Sequence, residues 1–249
     1  MKALILAAGY ATRMYPLNQK LHKALLPLGQ ETLIGHIAGL INTIPDCREI
    51  IVVTNRRFVE DFRCWQDQYR GHIPLVLLDD GTADVAESLG AIGDICFSIE
   101  QKQIDEDLLI IAGDNYFDFS PEAFVNACRE SARDGVCVKK VEDRSQLRQL
   151  GVVLLDGNQT IINIEEKPAE PKSDLAMYAI YYYTRDTVQL FARYKEEGNF
   201  MDAPGNFLVW LYPRKPIMTY TIPGPCYDVG TVEAYKQLCE SLGIVYPNL

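Results

Sequence analysis

Residues 2–16 read Lys2-Ala3-Leu4-Ile5-Leu6-Ala7-Ala8-Gly9-Tyr10-Ala11-Thr12-Arg13-Met14-Tyr15-Pro16. The run from Ala3 to Ala8 has no polar face, which suits a central strand of a parallel sheet covered on both sides, and Gly9 then allows a sharp turn. Similar runs recur at Ile50 to Val53, Leu75 to Leu78 and Leu108 to Ala112. Amphipathic stretches of helix length separate them: Leu33 to Ile44, Arg57 to Tyr69 and Val85 to Phe97. This alternation predicts an α/β fold, doubly wound and mostly parallel in the Rossmann manner, with right-handed crossovers.

Beyond Asp114 the pattern changes. Ser120-Pro121-Glu122 marks a helix start, since Ser can cap, Pro fits the first turn and the acid suits the positive helix end. Strands are then expected at Val136 to Val141, Gly151 to Leu155, Ile161 to Ile164, Tyr178 to Tyr183 and Pro216 to Ile222, with turns at Asp156-Gly157-Asn158 and Pro223-Gly224-Pro225. Helices are expected at Asp186 to Glu197, Gly205 to Leu211 and Val232 to Ser241. The result is a smaller strand-rich subregion after the parallel part. With no linker, repeat or low-complexity stretch, a single domain over 1–249 is expected.

Twenty-four Lys and Arg against 34 Asp and Glu give a net charge of −10. Such a chain has no long-range attraction to nucleic acid or to an anionic membrane, and an anionic substrate would need a local basic pocket. The seven cysteines are scattered without a CxxC pair, as expected of a protein in a reducing cytoplasm. The N-terminal apolar run is too short for a signal peptide or a membrane span.

Ligands of open parallel sheets bind beyond the carboxyl ends of the strands, so the loop after the first strand is the first candidate. Gly9 lets backbone N–H groups approach phosphate oxygens, and Arg13 can meet such oxygens with paired charge-assisted hydrogen bonds. Lys23, in His22-Lys23-Ala24-Leu25-Leu26-Pro27, offers a second cation, although an ordinary surface loop reads the same way. No P-loop and no dinucleotide fingerprint is present, which removes most support for kinase, GTPase and dehydrogenase readings. Asp114, in Ala112-Gly113-Asp114-Asn115, stands at a strand's carboxyl end where Mg²⁺ could be held. Asp228, in Tyr227-Asp228-Val229-Gly230-Thr231, is either a second such acid or a cap of the following helix. Lys167, in Glu165-Glu166-Lys167-Pro168, is either a placed cation or half of an exposed ion pair.

Together these segments resemble the sugar nucleotidyltransferases, and most of all their glucose-1-phosphate thymidylyltransferase branch. The similarity runs through LAAGYATRMYP (6–16), HKALLP (22–27), IAGDN (111–115), LGVVLLD (150–156), IEEKP (164–168), AMYAIYYY (176–183) and YDVGT (227–231), in the family's order. The resemblance implies transfer of a nucleoside monophosphate from a nucleoside triphosphate to a sugar 1-phosphate, with Mg²⁺ and release of pyrophosphate. Ala8, Gly9, Tyr10, Arg13, Lys23, Gly81 and Asp114 would then hold the nucleotide, and Asp114 and Asp228 the metal. Arg13, Lys23, Asp114 and Asp228 would carry catalysis. Gly151, Glu166, Lys167 and Tyr178 would receive the sugar phosphate. A cytoplasmic enzyme without a C-terminal β-helix is implied, and a homo-oligomer is compatible with it. Two departures stand out: Ala11 and Ala179 occupy positions where the family usually has Gly. Residues 79–90 align poorly with the stretch that reads the base. A phosphocholine-type acceptor and a non-catalytic regulatory paralogue are the competing readings. His22, His36 and His72 are expected to be structural or surface residues.

Overall fold

A computed structural model of the chain describes residues 1–15 and 21–247. Pro16 of the first motif lies outside the described residues. The chain forms two compact units, the first comprising Met1–Ser88, Ile111–Glu122 and Gly224–Leu249, the second Leu89–Ile110 and Ala123–Pro223.

The first unit begins with β1 (Lys2–Ala7), the short hairpin β2 (Pro27–Leu28) and β3 (Glu31–Thr32), then α1 (Leu33–Ile41), β4 (Ile50–Thr54), α2 (Val59–Gln66) and β5 (Leu75–Asp79). β1 and β5 both pair in parallel with β4, Ile50 standing opposite Ala3 on one side and Leu75 on the other. Every residue of β4 is buried, which is why its sequence shows no alternation. α1 buries Leu33, Ile34, Ile37, Ala38 and Ile41, one stripe of a 3.6-residue period, and Thr32 caps it by accepting from the Gly35 N–H.

The expected helix 85–97 is corrected. A single 3₁₀ turn at Val85–Glu87 is followed by α3 (Gly90–Lys102). Gly90 has φ +74°, and a Cβ there would stand 2.5 Å from the Met201 carbonyl oxygen. The Ala91 and Ile92 N–H groups donate to the carbonyls of Asp202 and Met201 at 2.9 and 2.8 Å. A contact with residues more than a hundred positions away therefore sets the helix start.

Directly after β6 (Leu108–Ala112), the Gly113 N–H donates to the Leu6 carbonyl at 2.8 Å. β6 is followed by β7 (Asn115–Phe117) and by α4 (Glu122–Ser131), which begins where Ser120-Pro121 predicted. Ser120 Oγ accepts from the Glu122 N–H at 3.2 Å.

The second unit continues with β8 (Asp134–Lys140), α5 (Arg144–Leu147), β9 (Gly151–Leu155), β10 (Ile161–Glu166), β11 (Leu175–Tyr183), α6 (Arg185–Val188), α7 (Leu190–Glu196), α8 (Gly205–Leu211) and β12 (Ile217–Thr221). It is the expected strand-rich part. β9 pairs antiparallel with β10 and β11, β11 antiparallel with β8, and β12 parallel with β8. The Asp156-Gly157-Asn158 turn forms as read, Asp156 Oδ1 accepting from the Asn158 and Thr160 N–H groups. Phe191 and Phe207 stack at 3.8 Å in its core, with Tyr183 edge-on to both.

The chain then adds β13 (Cys226–Asp228) and α9 (Val232–Ser241) to the first unit. β13 pairs antiparallel with β7, two strands too short to leave a readable alternation. The fold is mixed α/β with the parallel pairing predicted from the apolar runs. Among the described residues there is no β-helix, and no helix is long and apolar enough to cross a membrane.

Candidate active site

In the first unit the loop after β1 is tied back through its carbonyls. Asn55, directly after β4, donates from Nδ2 to the Ala8 carbonyl at 2.7 Å and accepts the Phe58 N–H on Oδ1. His22 Nδ1 accepts from the Ala24 N–H at 3.1 Å, so Nε2 carries the proton given to the Gly9 carbonyl at 2.8 Å. That imidazole is buried, and burial, with the Lys23 charge beside it, lowers its pKa to about 4. Tyr10 is also buried. Its hydroxyl donates to Thr82 Oγ1 at 2.9 Å, and Thr82 Oγ1 donates to Asp80, joining the loop to the turn that holds Gly81. Gly81 has φ +85°, and its N–H donates to Asp79 Oδ1 at 2.9 Å.

Ala11 adopts φ 50°, ψ 38°. This left-handed conformation costs an L-residue with a Cβ on the order of 1–2 kcal/mol, which gives the family's usual Gly at this position a physical reason.

Four charged candidates gather at one edge of this unit. The Lys23 ammonium forms an ion pair with Asp114 Oδ2. The Val229 N–H donates to the Asp114 carbonyl at 2.8 Å, and Asp228 stands opposite Asn115 in the β7–β13 ladder, so the two acids occupy neighbouring backbone positions. A Cβ placed on Gly230 would lie 3.2 Å from an Arg13 guanidinium nitrogen and 3.3 Å from Asp228 Oδ1. The helix-cap role open to Asp228 belongs to Thr231, whose hydroxyl accepts the Ala234 N–H at 3.1 Å. Among the described residues no three His, Cys, Asp or Glu side chains form a metal-ligating group. A pair of carboxylates suits Mg²⁺, which takes few protein ligands and completes its shell with phosphate oxygens and water.

The acceptor-side candidates lie in the second unit. Gly151 opens β9 opposite Glu166 of β10 and Met177 of β11. Glu166 is half-buried, and among the described residues none donates a hydrogen bond to its carboxylate. Burial raises its pKa, with Lys167 pulling the other way and Asp202 adding to the rise. Lys167 follows with φ +48°, its N–H donating to the Leu150 carbonyl at 3.1 Å. A left-handed lysine ahead of a proline is a strained backbone that the surrounding structure must hold. Lys167 is exposed, and of the two surface pairings open to it the one with Glu165 is made by Lys172, at 2.7 Å. Tyr178 is buried in β11, inside the stretch from Met177 to Tyr181 where pairing with β8 shifts register; Ala179 lies in the same stretch.

The sequence profile of the Nucleotidyl transferase family matches residues 2–242. The chain belongs to that family. Bifunctional protein GlmU of Methanocaldococcus jannaschii is 27% identical over 246 residues, 97% of this chain and 55% of that protein, so the chain spans about half the length of this relative. A glucose-1-phosphate thymidylyltransferase of Neisseria meningitidis is 28% identical over 204 residues, 78% of this chain and 65% of that protein. The branch expected from the motifs is therefore represented among the relatives, beside a UTP–glucose-1-phosphate uridylyltransferase of Haloferax volcanii at 27% identity over 184 residues, 74% of this chain and 72% of that protein. Among solved structures, a Bacillus anthracis protein provisionally assigned as a glucose-1-phosphate thymidylyltransferase, in complex with sucrose, superposes with a TM-score of 0.84 at 23% identity, covering 100% of this chain and 98% of that one. That likeness establishes the shared fold.

Several residues of this family member that shape the candidate site carry no sequence signal. Asn55 directly after β4 and Thr82 in the turn after β5 are ordinary polar residues, and only the fold brings them to Ala8 and Tyr10. His22 is read from the chain as structural, and it is, but its hold on Gly9 appears only in three dimensions.

Proposed function

We propose that this chain transfers a nucleoside monophosphate from a nucleoside triphosphate to a sugar 1-phosphate, releasing pyrophosphate, with Mg²⁺ on Asp114 and Asp228. The observation that supports it is the meeting of two carboxylates and two cations, Asp114, Asp228, Lys23 and Arg13, in the unit that carries the glycine loop. The Ala8–Tyr10 loop, Arg13, Lys23 and Gly81 would bind the nucleotide. Gly151, Glu166, Lys167 and Tyr178 would bind the acceptor, Lys167 at its phosphate. Mg²⁺, when bound, would supply positive charge against the phosphate oxygens.

In the reaction an oxygen of the acceptor phosphate forms a bond to the α-phosphorus, the α–β bridging bond breaks, and pyrophosphate leaves with the electron pair. The attacking oxygen is already anionic, so no general base is required. None of the three histidines is assigned one. The protein's task is to offset charge repulsion and to orient, and orientation alone can supply on the order of 7–11 kcal/mol of the barrier.

A homo-oligomer is compatible with this reading. A cytoplasmic setting agrees with seven scattered cysteines that form no CxxC pair, and the net charge of −10 argues against nucleic-acid or membrane partners. Residues 1–249 are proposed to act as one nucleotidyltransferase domain.

The test is a matrix of nucleoside triphosphates against sugar 1-phosphates and phosphocholine, scoring pyrophosphate release with Mg²⁺ and with chelator. Metal-dependent release with a sugar 1-phosphate is expected. Release with phosphocholine alone would replace the acceptor assignment, and no release in any combination would favour a regulatory paralogue.

A further inference from the structure

The Glu166 carboxylate stands against two α-carbons that have no side chain. A Cβ on Gly151 would lie 2.8 Å from Glu166 Oε2, and one on Gly205 only 1.9 Å from the same oxygen and 2.8 Å from Cδ. Gly205 is the first residue of α8, a buried position in the helix that packs on β10. The segment leading to it is anchored: the Met201 and Asp202 carbonyls accept the first N–H groups of α3, and the Ala203 carbonyl accepts the Asn206 N–H at 3.1 Å. If a methyl group were added at 205, the backbone would be held and the flexible carboxylate would have to move. Met177 closes the cradle, its Cε 2.2 Å from a Cβ on Gly151 and 3.5 Å from one on Gly205.

We propose that Gly205 is a positioning residue for the acceptor: the missing side chain at the start of α8 fixes where the Glu166 carboxylate stands, and so which hydroxyl-bearing acceptors this unit accepts. The inference rests on the reading of Glu166 as an acceptor-binding group. Gly205 itself touches no substrate in this scheme. It acts through Glu166, whose oxygens have no protein donor among the described residues and are left to take hydrogen bonds from a ligand.

The test varies glucose 1-phosphate, mannose 1-phosphate and galactose 1-phosphate at saturating triphosphate, and then the triphosphate at saturating acceptor, for wild type, E166Q, G205A, E166D and G205A/E166D. G205A should raise the acceptor KM roughly tenfold or more while the triphosphate KM stays within about twofold, since a displacement of the orienting group is felt mainly by its own ligand. Aspartate is shorter by one methylene and clears the new methyl, so the double variant should bind acceptor better than the product of the two single losses. An unchanged acceptor KM in G205A, or losses in the double variant that simply multiply, would overturn the proposal. If E166Q leaves the acceptor KM at the wild-type value, it is the assignment of Glu166 that fails. A crystal structure of G205A then still decides the positioning question: a displaced carboxylate with α8 in place supports it, and a displaced α8 with the carboxylate in place refutes it.

Discussion

The two units build their candidate sites by opposite means. In the first, charges are matched and the loop is tied: Lys23 meets Asp114, His22 holds Gly9, Asn55 holds Ala8, and Tyr10 is locked through Thr82. In the second, a carboxylate is kept half-buried with no protein donor among the described residues, a lysine is kept in a left-handed conformation, and glycines leave room around Glu166. A site proposed for a triphosphate must tolerate high charge, which matched ion pairs and a tied loop provide before the ligand enters. A site proposed for a sugar ring bearing one phosphate gains selectivity when the ligand covers such a carboxylate, because an acceptor that the ligand buries without pairing is costly.

The comparison breaks most directly at the acids. Asp114→Ala or Asp228→Ala should lower turnover by roughly 10²-fold or more with the fold intact, as for loss of one electrostatic stabiliser. Pyrophosphate release and circular dichroism on the same samples check this, and a folded Asp114→Ala variant with wild-type turnover would remove the acid from its role.

His22 tests whether the first unit depends on its neutral tie. Its folded pKa of about 4 lies below the ordinary 6.5, so the unfolded chain binds the extra proton first. Stability from this group is complete above the unfolded value and falls as pH drops from 6.5 towards about 4, by roughly 3 kcal/mol in total. Urea unfolding at pH 7.5 and 4.5 should show this slope in wild type and a shallower one in His22→Gln.

For the second unit, Lys167→Ala should raise the acceptor KM by roughly tenfold, the scale of one lost charge-assisted contact, without moving the triphosphate KM. Acidification should sharpen the contrast. Ionised Glu166 accepts from hydroxyl donors more strongly than its protonated form does, and burial raises its pKa. Acceptor KM should therefore begin to rise above the ordinary glutamate range as pH falls, and Glu166→Gln should lose that dependence.

The smallest effect is expected at Ala11. Removing its Cβ relieves the left-handed strain but loosens the unfolded chain, leaving a net gain of about 0.5–1 kcal/mol. Thermal unfolding of Ala11→Gly should show a small upward shift, and a drop would mean that the Cβ packs more than it strains.

What the chain disclosed unaided was whatever depends on local periodicity and turn chemistry. Runs apolar on both faces announced β1, β4 and β6, a 3.6-residue stripe announced α1, and Ser120-Pro121 announced α4, because burial and capping leave their mark within a few residues. The family motifs singled out Asp114 and Asp228 from positions more than a hundred residues apart. Tertiary structure alone decided that those acids adjoin, through a β7–β13 pairing three residues long, that α3 begins at Gly90 and not at Val85, and that Gly205 abuts Glu166. Each of these is a contact between distant segments whose partners are common residues, and such a contact imposes no periodicity, cap or turn on either side from which it could be read.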